Sequence, residues 1–114
     1  DGFEITWAAS YFGHFLLTEL LLDILKKTDD SRMLIVSSVV HAGNPNDRPN
    51  VDLEDLNFKS RPYDNFGAYA EAKVAVILYA KELAERLEMS GPGVGYAVER
   101  GKAIAQERGF KLIE

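Results

Sequence analysis

The chain has 114 residues, of which 46% are hydrophobic and 27% are charged, an ordinary globular composition that argues against disorder and for one domain at most. Its 13 basic and 18 acidic residues give a formal net charge of -5 without a lysine or arginine cluster, so nucleic acid is not an expected partner. The sequence contains no cysteine, which excludes disulfides, thiolate metal sites and cysteine nucleophiles, and its two histidines exclude a histidine-rich metal site.

No apolar run in the sequence is expected to reach membrane-spanning length. The longest stretch, from Phe12 to Leu25, is interrupted by small, polar and charged residues: Gly13, His14, Thr18, Glu19 and Asp23. A basic leader with a small-residue cleavage site is also missing. We therefore expect no membrane segment. The compartment is left open, and the chain as given is expected to be soluble and intracellular.

Two long helices and a buried strand are predicted. The first helix runs from about Thr6 to Lys27, because leucine and isoleucine recur from Leu16 to Leu25 at the spacing of one helix face. The run from Met33 to Val36 is short, apolar and rich in β-branched residues, which is typical of a strand buried on both faces of a parallel sheet. The second helix runs from about Gly67 to Glu88.

Loops and weaker elements fill the rest of the sequence. Either Asp64 or Asn65 is expected to cap the second helix. Residues 41 to 65 are polar and proline-punctuated, which predicts a long loop, with a short turn of helix or strand near residues 51 to 58 left open. Its scattered acids are expected to be solvated: Asp47, Asp52, Glu54 and Asp55. Residues 94 to 98 are a second, short predicted strand, and residues 99 to 114 are weakly helical.

This order of elements predicts the fold class. Helix, buried strand, long loop, helix and short strand together indicate an α/β layered sheet with parallel strands. Two strands cannot form such a sheet alone. The other strands would therefore come from missing sequence or from another chain, or else the piece is only marginally folded.

Tyr69 and Lys73 form the sharpest candidate pair. Four positions apart in the predicted helix, they share one face, and a nearby ammonium lowers a tyrosine pKa from about 10, so that the phenol can act as general acid or base. The pair alone is a weak signal, because a packed tyrosine beside a solvated lysine is the simpler interpretation. Ser38 follows the predicted strand, where catalytic groups of α/β sheets lie, and is a candidate hydrogen-bond donor to substrate. Ser37 is interpreted as turn or cap chemistry.

Several motifs in a consistent order give the sequence a family resemblance. The chain resembles the short-chain dehydrogenase/reductase superfamily, and most of all the subgroup that includes retinol dehydrogenases and the WW-domain-containing oxidoreductase. The matching segments are Asp1–Glu4, Phe12–Thr18, Arg32–His41, Asp55–Phe58, Tyr69–Lys73 and Glu82–Leu87. The similarity extends from residue 1 to about residue 98 and leaves residues 99–114 as an unmatched tail.

The resemblance implies a fold and an activity. Residues 1–114 would be one partial domain, a Rossmann-like doubly wound parallel sheet that lacks the N-terminal dinucleotide-binding half and the C-terminal substrate region. The family activity is NAD(P)-dependent interconversion of an alcohol and a carbonyl, on a retinoid, steroid or other lipophilic substrate. NAD and NADP are not distinguished, because the deciding residues belong to the absent half.

Site roles follow from the same resemblance. Tyr69 would donate or accept the proton at the substrate oxygen, and Lys73 would lower the tyrosine pKa and hold the nicotinamide ribose hydroxyls. Ser38 would orient the substrate oxygen. Hydride would pass between the nicotinamide ring and the carbinol carbon.

Three departures from the family pattern are visible. Ser10 stands where the family has an asparagine linked to a helix distortion and a water relay. Arg100 replaces the proline of a Pro-Gly segment near the nicotinamide. The glycine-rich dinucleotide fingerprint is absent from the sequence. We therefore expect the chain alone not to bind a dinucleotide tightly.

A noncatalytic alternative stays open. The chain would then be a truncated member of the family that acts through protein–protein association. The two long helices, which commonly build a dimer interface in the family, would form a homo-oligomer, or more simply they would cover the family sheet.

Overall fold

A computed structural model describes residues 2–43 and 49–87. The helical elements within those ranges are α1 Ile5–Trp7, a π-helical turn Ala8–Phe12, α2 Gly13–Lys27, a 3₁₀ turn Val39–Ala42 and α3 Asn65–Arg86. The chain divides into two compact units, Asp1–Tyr79 and Ala80–Glu114, and all the site residues below lie in the first. The predicted strand at residues 94 to 98, the tail after it and Arg100 lie outside the described residues.

The first predicted helix is confirmed, with an irregular turn inside it. Its beginning is capped by Glu4, whose carboxylate accepts the N–H of Trp7 at 2.8 Å. The N–H of Gly13 reaches back five residues to the carbonyl of Ala8 and closes the π-helical turn. A Cβ at Gly13 would lie 3.2 Å from that oxygen, so glycine permits the close approach that the turn requires.

The second predicted helix is confirmed as α3, two residues earlier than expected at each end. Asp64, one of the two expected caps, is the one that acts: its carboxylate accepts the N–H of Phe66 at 3.1 Å and of Gly67 at 3.0 Å. A Cβ at Gly67 would lie 2.8 Å from the Asp64 Oδ2. The glycine therefore leaves room for its own cap.

The predicted strand at Met33–Val36 is wrong for the part of the chain that the structure describes. Residues 31–38 form no regular structure, and none of residues 2–43 and 49–87 is in a β-strand. Leu34 is 87% exposed and Val36 is 76% exposed, whereas their neighbours are half-buried, a period-two pattern expected of an extended chain. The physical reason is that a strand needs a paired neighbour, and the described residues supply none. The predicted parallel sheet is correspondingly not formed within them.

Aromatic rings join α2 to α3. The Phe15 and Tyr79 rings are 4.9 Å apart, and Tyr11 stacks on Phe15 at 5.9 Å. The buried Tyr79 also donates a hydrogen bond of 3.0 Å from its hydroxyl to Glu19 Oε1. Because this contact combines apolar packing with a charged acceptor, it fixes one helix on the other more strongly than ring packing would alone.

The outward face of α2 is apolar and exposed. Its exposed members are Leu16, Leu17, Leu20, Leu21 and Ile24. The continuous helical stretch Ile5–Lys27, at 23 residues, is long and apolar enough to cross a membrane by length and composition alone. We expected no run of that length, because Glu19 and Asp23 interrupt the apolar residues. The helical stretch nevertheless meets the requirement, since its length and average hydropathy are sufficient even with these two acids. The bond from Tyr79 to Glu19 instead ties this stretch to α3.

Candidate functional site

Tyr69 and Lys73 lie on one face of α3, as their spacing predicted. The Lys73 Nζ is 5.6 Å from the centroid of the Tyr69 ring, within the range of a cation–π contact. Tyr69 is half-buried, and its hydroxyl has no hydrogen-bond partner among residues 2–43 and 49–87. The phenol is therefore free to bond a ligand, while the ammonium beside it is already positioned.

Lys73 is buried, with 8% of its surface exposed, and it connects α3 to the apolar segment that precedes Ser38. Its Nζ donates to the carbonyl of Val36 at 3.0 Å, and the Ser37 Oγ donates to the Lys73 carbonyl at 3.1 Å. The solvated lysine of the simpler interpretation is thus wrong. An ammonium has three donors, so the bond to Val36 leaves capacity for another acceptor.

Ser37 and Ser38 make different hydrogen bonds, and only that of Ser37 departs from expectation. Ser37, interpreted as turn or cap chemistry, bonds across to α3 instead. The Ser38 Oγ accepts the N–H of Val40 at 3.4 Å and so caps the 3₁₀ turn. This bond uses the serine oxygen as an acceptor, and the hydroxyl proton of Ser38 remains available to a ligand.

Ser10 lies inside the π-helical turn Ala8–Phe12. A helix distortion is therefore present at the position where the family has asparagine, although the side chain is shorter. Within the described ranges, no hydrogen bond joins Ser10 to Tyr69 or Lys73. Burial raises the pKa of the neighbouring Tyr11, which keeps that phenol protonated near neutral pH.

The histidines and acids of the described residues form no metal site. No group of three or more His, Asp or Glu side chains that could hold a metal ion occurs in residues 2–43 and 49–87. His14 is exposed on α2, and the His41 Nδ1 lies 2.5 Å from the Ser38 carbonyl oxygen. His41 therefore supports the turn that follows Ser38.

A whole dinucleotide does not fit the described residues. Pyrophosphate binds at helix beginnings where a glycine-rich turn leaves backbone N–H groups free. Here the carboxylates of Glu4 and Asp64 already occupy those N–H groups and would repel a phosphate. A shallow cavity of about 230 Å³ is lined by Phe3, Leu53–Asn57 and Lys59, and it includes none of the four candidate residues.

Sequence reasoning missed a buried ionic network behind the candidate pair. Asp55, expected to be solvated, is only 7% exposed, and its carboxylate accepts the N–H groups of Lys59 at 2.6 Å and Ser60 at 2.8 Å. Arg61 forms two hydrogen bonds to the Glu71 carboxylate, at 2.6 and 2.8 Å. The available signal was Glu71 itself, an acid inside the Tyr69–Lys73 motif on the helix face opposite the pair.

The network alters the acidity of its members. Burial raises the pKa of Asp55, but the backbone N–H groups of Lys59 and Ser60 together with the Arg61 charge lower it more, so the net pKa lies below its ordinary value. The hydrogen bonds to Glu71 raise the pKa of Arg61. Asp55 and Arg61 therefore both stay charged near neutral pH.

Comparison with known proteins adds the family. The chain is 46% identical over 91 residues to mouse retinol dehydrogenase 13, which covers 80% of this chain and 26% of that protein. It is 37% identical over 107 residues to mouse retinol dehydrogenase 12, covering 93% of this chain and 31% of that protein. Zebrafish polyprenol dehydrogenase is 40% identical over 98 residues, covering 82% of this chain and 28% of that protein.

These matches place the chain in a class of oxidoreductases: it belongs to the short-chain dehydrogenase/reductase superfamily. Within that superfamily, the relatives it matches are retinol and polyprenol dehydrogenases. The chain spans about a quarter to a third of the length of these curated relatives. No protein-family model and no solved structure matches it.

Proposed function

We propose that the chain carries the proton-transfer residues of an oxidoreductase that interconverts an alcohol and a carbonyl. The observation that carries this proposal is the Tyr69 phenol, free of protein partners in the described part of the chain, beside the Lys73 ammonium on α3. The homology to retinol and polyprenol dehydrogenases supports the same chemistry.

Each candidate residue has a separate task in this proposal. Tyr69 gives its proton to the oxygen of a carbonyl, or takes one from an alcohol, in a step that general acid–base catalysis accelerates. Lys73 lies one helical turn away and holds the ribose hydroxyls of the cofactor with the N–H donors that its bond to Val36 leaves free. Ser38 donates its hydroxyl proton to the same substrate oxygen, while Ser10 takes the place of the family asparagine in the π-helical turn.

NAD or NADP is the proposed cofactor, as a family trait of the relatives. Because a pyrophosphate does not fit the described residues, only the ribose contact of Tyr69 and Lys73 is assigned to them. The Rossmann-like sheet that would hold the rest of the cofactor is likewise a proposal, with its other strands supplied by sequence beyond this chain or by a second chain. The proposed substrate is a lipophilic alcohol or carbonyl, after the names of the relatives.

Calorimetric titration of the purified chain with NADH and with NADPH tests the proposal. Because only the ribose contact is assigned to this chain, we expect weak binding, saturable at millimolar cofactor, that Lys73→Ala weakens further. Lys59→Ala is the matched control, because that lysine is exposed and lies outside the site. Turnover of retinol, lost in Tyr69→Phe, would complete the evidence. The absence of binding at millimolar cofactor would contradict an enzymatic role for this chain.

A noncatalytic role in association is the second candidate, and the exposed apolar face of α2 favours it. A contiguous exposed apolar patch often marks an interaction surface, and the proposed occupant is a second copy of the same face. Sedimentation velocity should show a concentration-dependent dimer that Leu20→Gln weakens. Leu53→Gln, equally exposed but in the loop before Asp55, is the matched control. A monomer at all concentrations would exclude this role.

A further inference from the structure

Arg61 and Glu71 form a bidentate ion pair between the loop and α3. The Arg61 Nη1 and Nη2 bond to the two carboxylate oxygens of Glu71 at 2.6 and 2.8 Å, a geometry that fixes both direction and distance. Glu71 is only 5% exposed. An arginine–carboxylate pair with such a buried acid defines one arrangement of the two segments that it joins.

The loop that carries Arg61 is itself closed. The Asp55 carboxylate bonds two backbone N–H groups further along the loop, and the Arg61 guanidinium also donates to the Asp55 carbonyl at 3.3 Å. The Arg61 Cζ lies 4.0 Å from the centroid of the Phe58 ring. Phe58 adopts a φ of 53°, a left-handed conformation that a non-glycine residue keeps only where surrounding contacts hold it. These contacts therefore fix the conformation of the loop that carries Arg61.

The ion pair acts on the helix face opposite the candidate catalytic pair. Two residues along an α-helix turn the side chain by about 200°, so Glu71 points away from Tyr69, whereas Lys73 returns to the tyrosine side. On that side, Lys73 bonds the Val36 carbonyl, and its own carbonyl accepts from Ser37. The first turns of α3 are therefore held from two sides, by the loop and by the segment that leads to Ser38.

We propose that Arg61 and Glu71 are positioning residues, which fix the rotation of α3 so that Tyr69 and Lys73 face the segment of Val36 to Ser38. The proposal rests on the proposed function, because the positions of Tyr69 and Lys73 matter for catalysis only if they transfer a proton. The rotation of α3 itself can be tested without measuring turnover. Neither residue touches the reacting atoms. Both act through α3, so that a substitution of either residue changes the position of Lys73.

Two conservative variants test the proposal. Glu71→Gln keeps the size of the side chain and removes the charge, and Arg61→Lys keeps the charge and removes the planar fork. The matched controls are Glu85→Gln, exposed further along α3, and Arg32→Lys, exposed after the first helix. If Glu71→Gln does not fold, as judged by circular dichroism, Arg61→Lys alone decides.

The decisive readout is the nuclear Overhauser contact between the ε-methylene of Lys73 and the protons of Val36 and Ser37, measured in folded protein. We expect this contact to be lost in both variants and kept in both controls, together with faster amide exchange in residues 68–73. Retention of the contact in a folded Glu71→Gln or Arg61→Lys variant would overturn the proposal.

Cofactor titration of the same samples separates this proposal from the proposed function. If the unmodified chain binds neither NADH nor NADPH, the enzymatic role fails, and the Overhauser contact still decides whether the ion pair positions the helix. If the unmodified chain binds cofactor and the two variants bind it as well as the controls do, the positioning role is contradicted while the enzymatic role stands.

Discussion

At the scale of single residues, Asp64 and Gly67 determine where α3 begins. Sequence reasoning found the cap, because an acid before a helical pattern is a local signal. It left Asn65 as an equal choice, since only the backbone shows which N–H groups an aspartate reaches. Gly67 serves the same cap, because the three nearest atoms that its Cβ would meet all belong to Asp64.

A double-mutant cycle between these two residues should therefore show coupling. Gly67→Ala normally stabilises a helix by about 0.5–1 kcal/mol, but here the new methyl displaces a cap that contributes about 1 kcal/mol. We expect no gain from Gly67→Ala in the unmodified chain and the full gain in the Asp64→Ala background. Urea denaturation of the four proteins measures the difference. Equal effects in both backgrounds would contradict the coupling.

Asp55 predicts a pH dependence of stability. Its pKa in the folded chain is below its ordinary value of about 3.9, so its contribution to the free energy of unfolding is complete above that pH and is lost as the pH falls through the folded pKa. Thermal melts between pH 7 and pH 2 should show this loss. Asp55→Asn should be less stable at pH 7 and lose less on acidification, whereas the exposed Asp29→Asn should match the unmodified chain.

At the scale of elements, the contact between α2 and α3 depends on Tyr79. The periodicity of each helix was readable from the sequence, but the partner of each face was not, because the ring contacts and the bond to Glu19 join residues 60 or more positions apart. The π-helical turn was not predicted either. The turn forms because the Gly13 N–H bonds the carbonyl of Ala8, five residues back, and amino-acid composition does not reveal that bond.

Tyr79→Phe should destabilise the chain by about 1–3 kcal/mol, because it removes a buried hydrogen bond to a charged acceptor and keeps the ring. Tyr63→Phe is the control, since that phenol also bonds a glutamate, at 2.9 Å from Glu4, but is largely exposed. Its effect should be smaller, and denaturant titration compares the two. A loss in Tyr63→Phe as large as in Tyr79→Phe would mean that burial is not the deciding factor.

At the scale of the whole molecule, the described part of the chain exposes two stretches of apolar surface. Leu34 and Val36 form an exposed extended stretch, and the apolar face of α2 is exposed as well. The sequence predicted residues 33–36 to be buried in a sheet and the α2 face to cover a sheet or join a second copy, but Leu34, Val36 and the α2 face are exposed in the described residues. It could not supply the layers that would bury them, because burial requires a neighbouring strand and a second layer rather than a favourable local pattern.

Hydrogen exchange should distinguish these regions. The amides of Leu34 and Val36 should exchange rapidly, since no described group pairs with them, while amides in the middle of α3 should be protected. The measurement is made at two protein concentrations. Protection of Leu34 and Val36 that grows with concentration would contradict the unpaired state and indicate pairing between strands of two copies.

The sequence by itself determined the two long helices, a cap at residue 64 or 65, and the family to which Tyr69 and Lys73 point, because periodicity, capping and motif spacing are local properties of the chain. Only the tertiary structure decided that Asp55 is buried, that Arg61 forms a bidentate ion pair with Glu71, and that Lys73 bonds the Val36 carbonyl 37 positions away. These contacts depend on which distant segments meet. The free energy of burying a charge is favourable only where its partners have been brought to it.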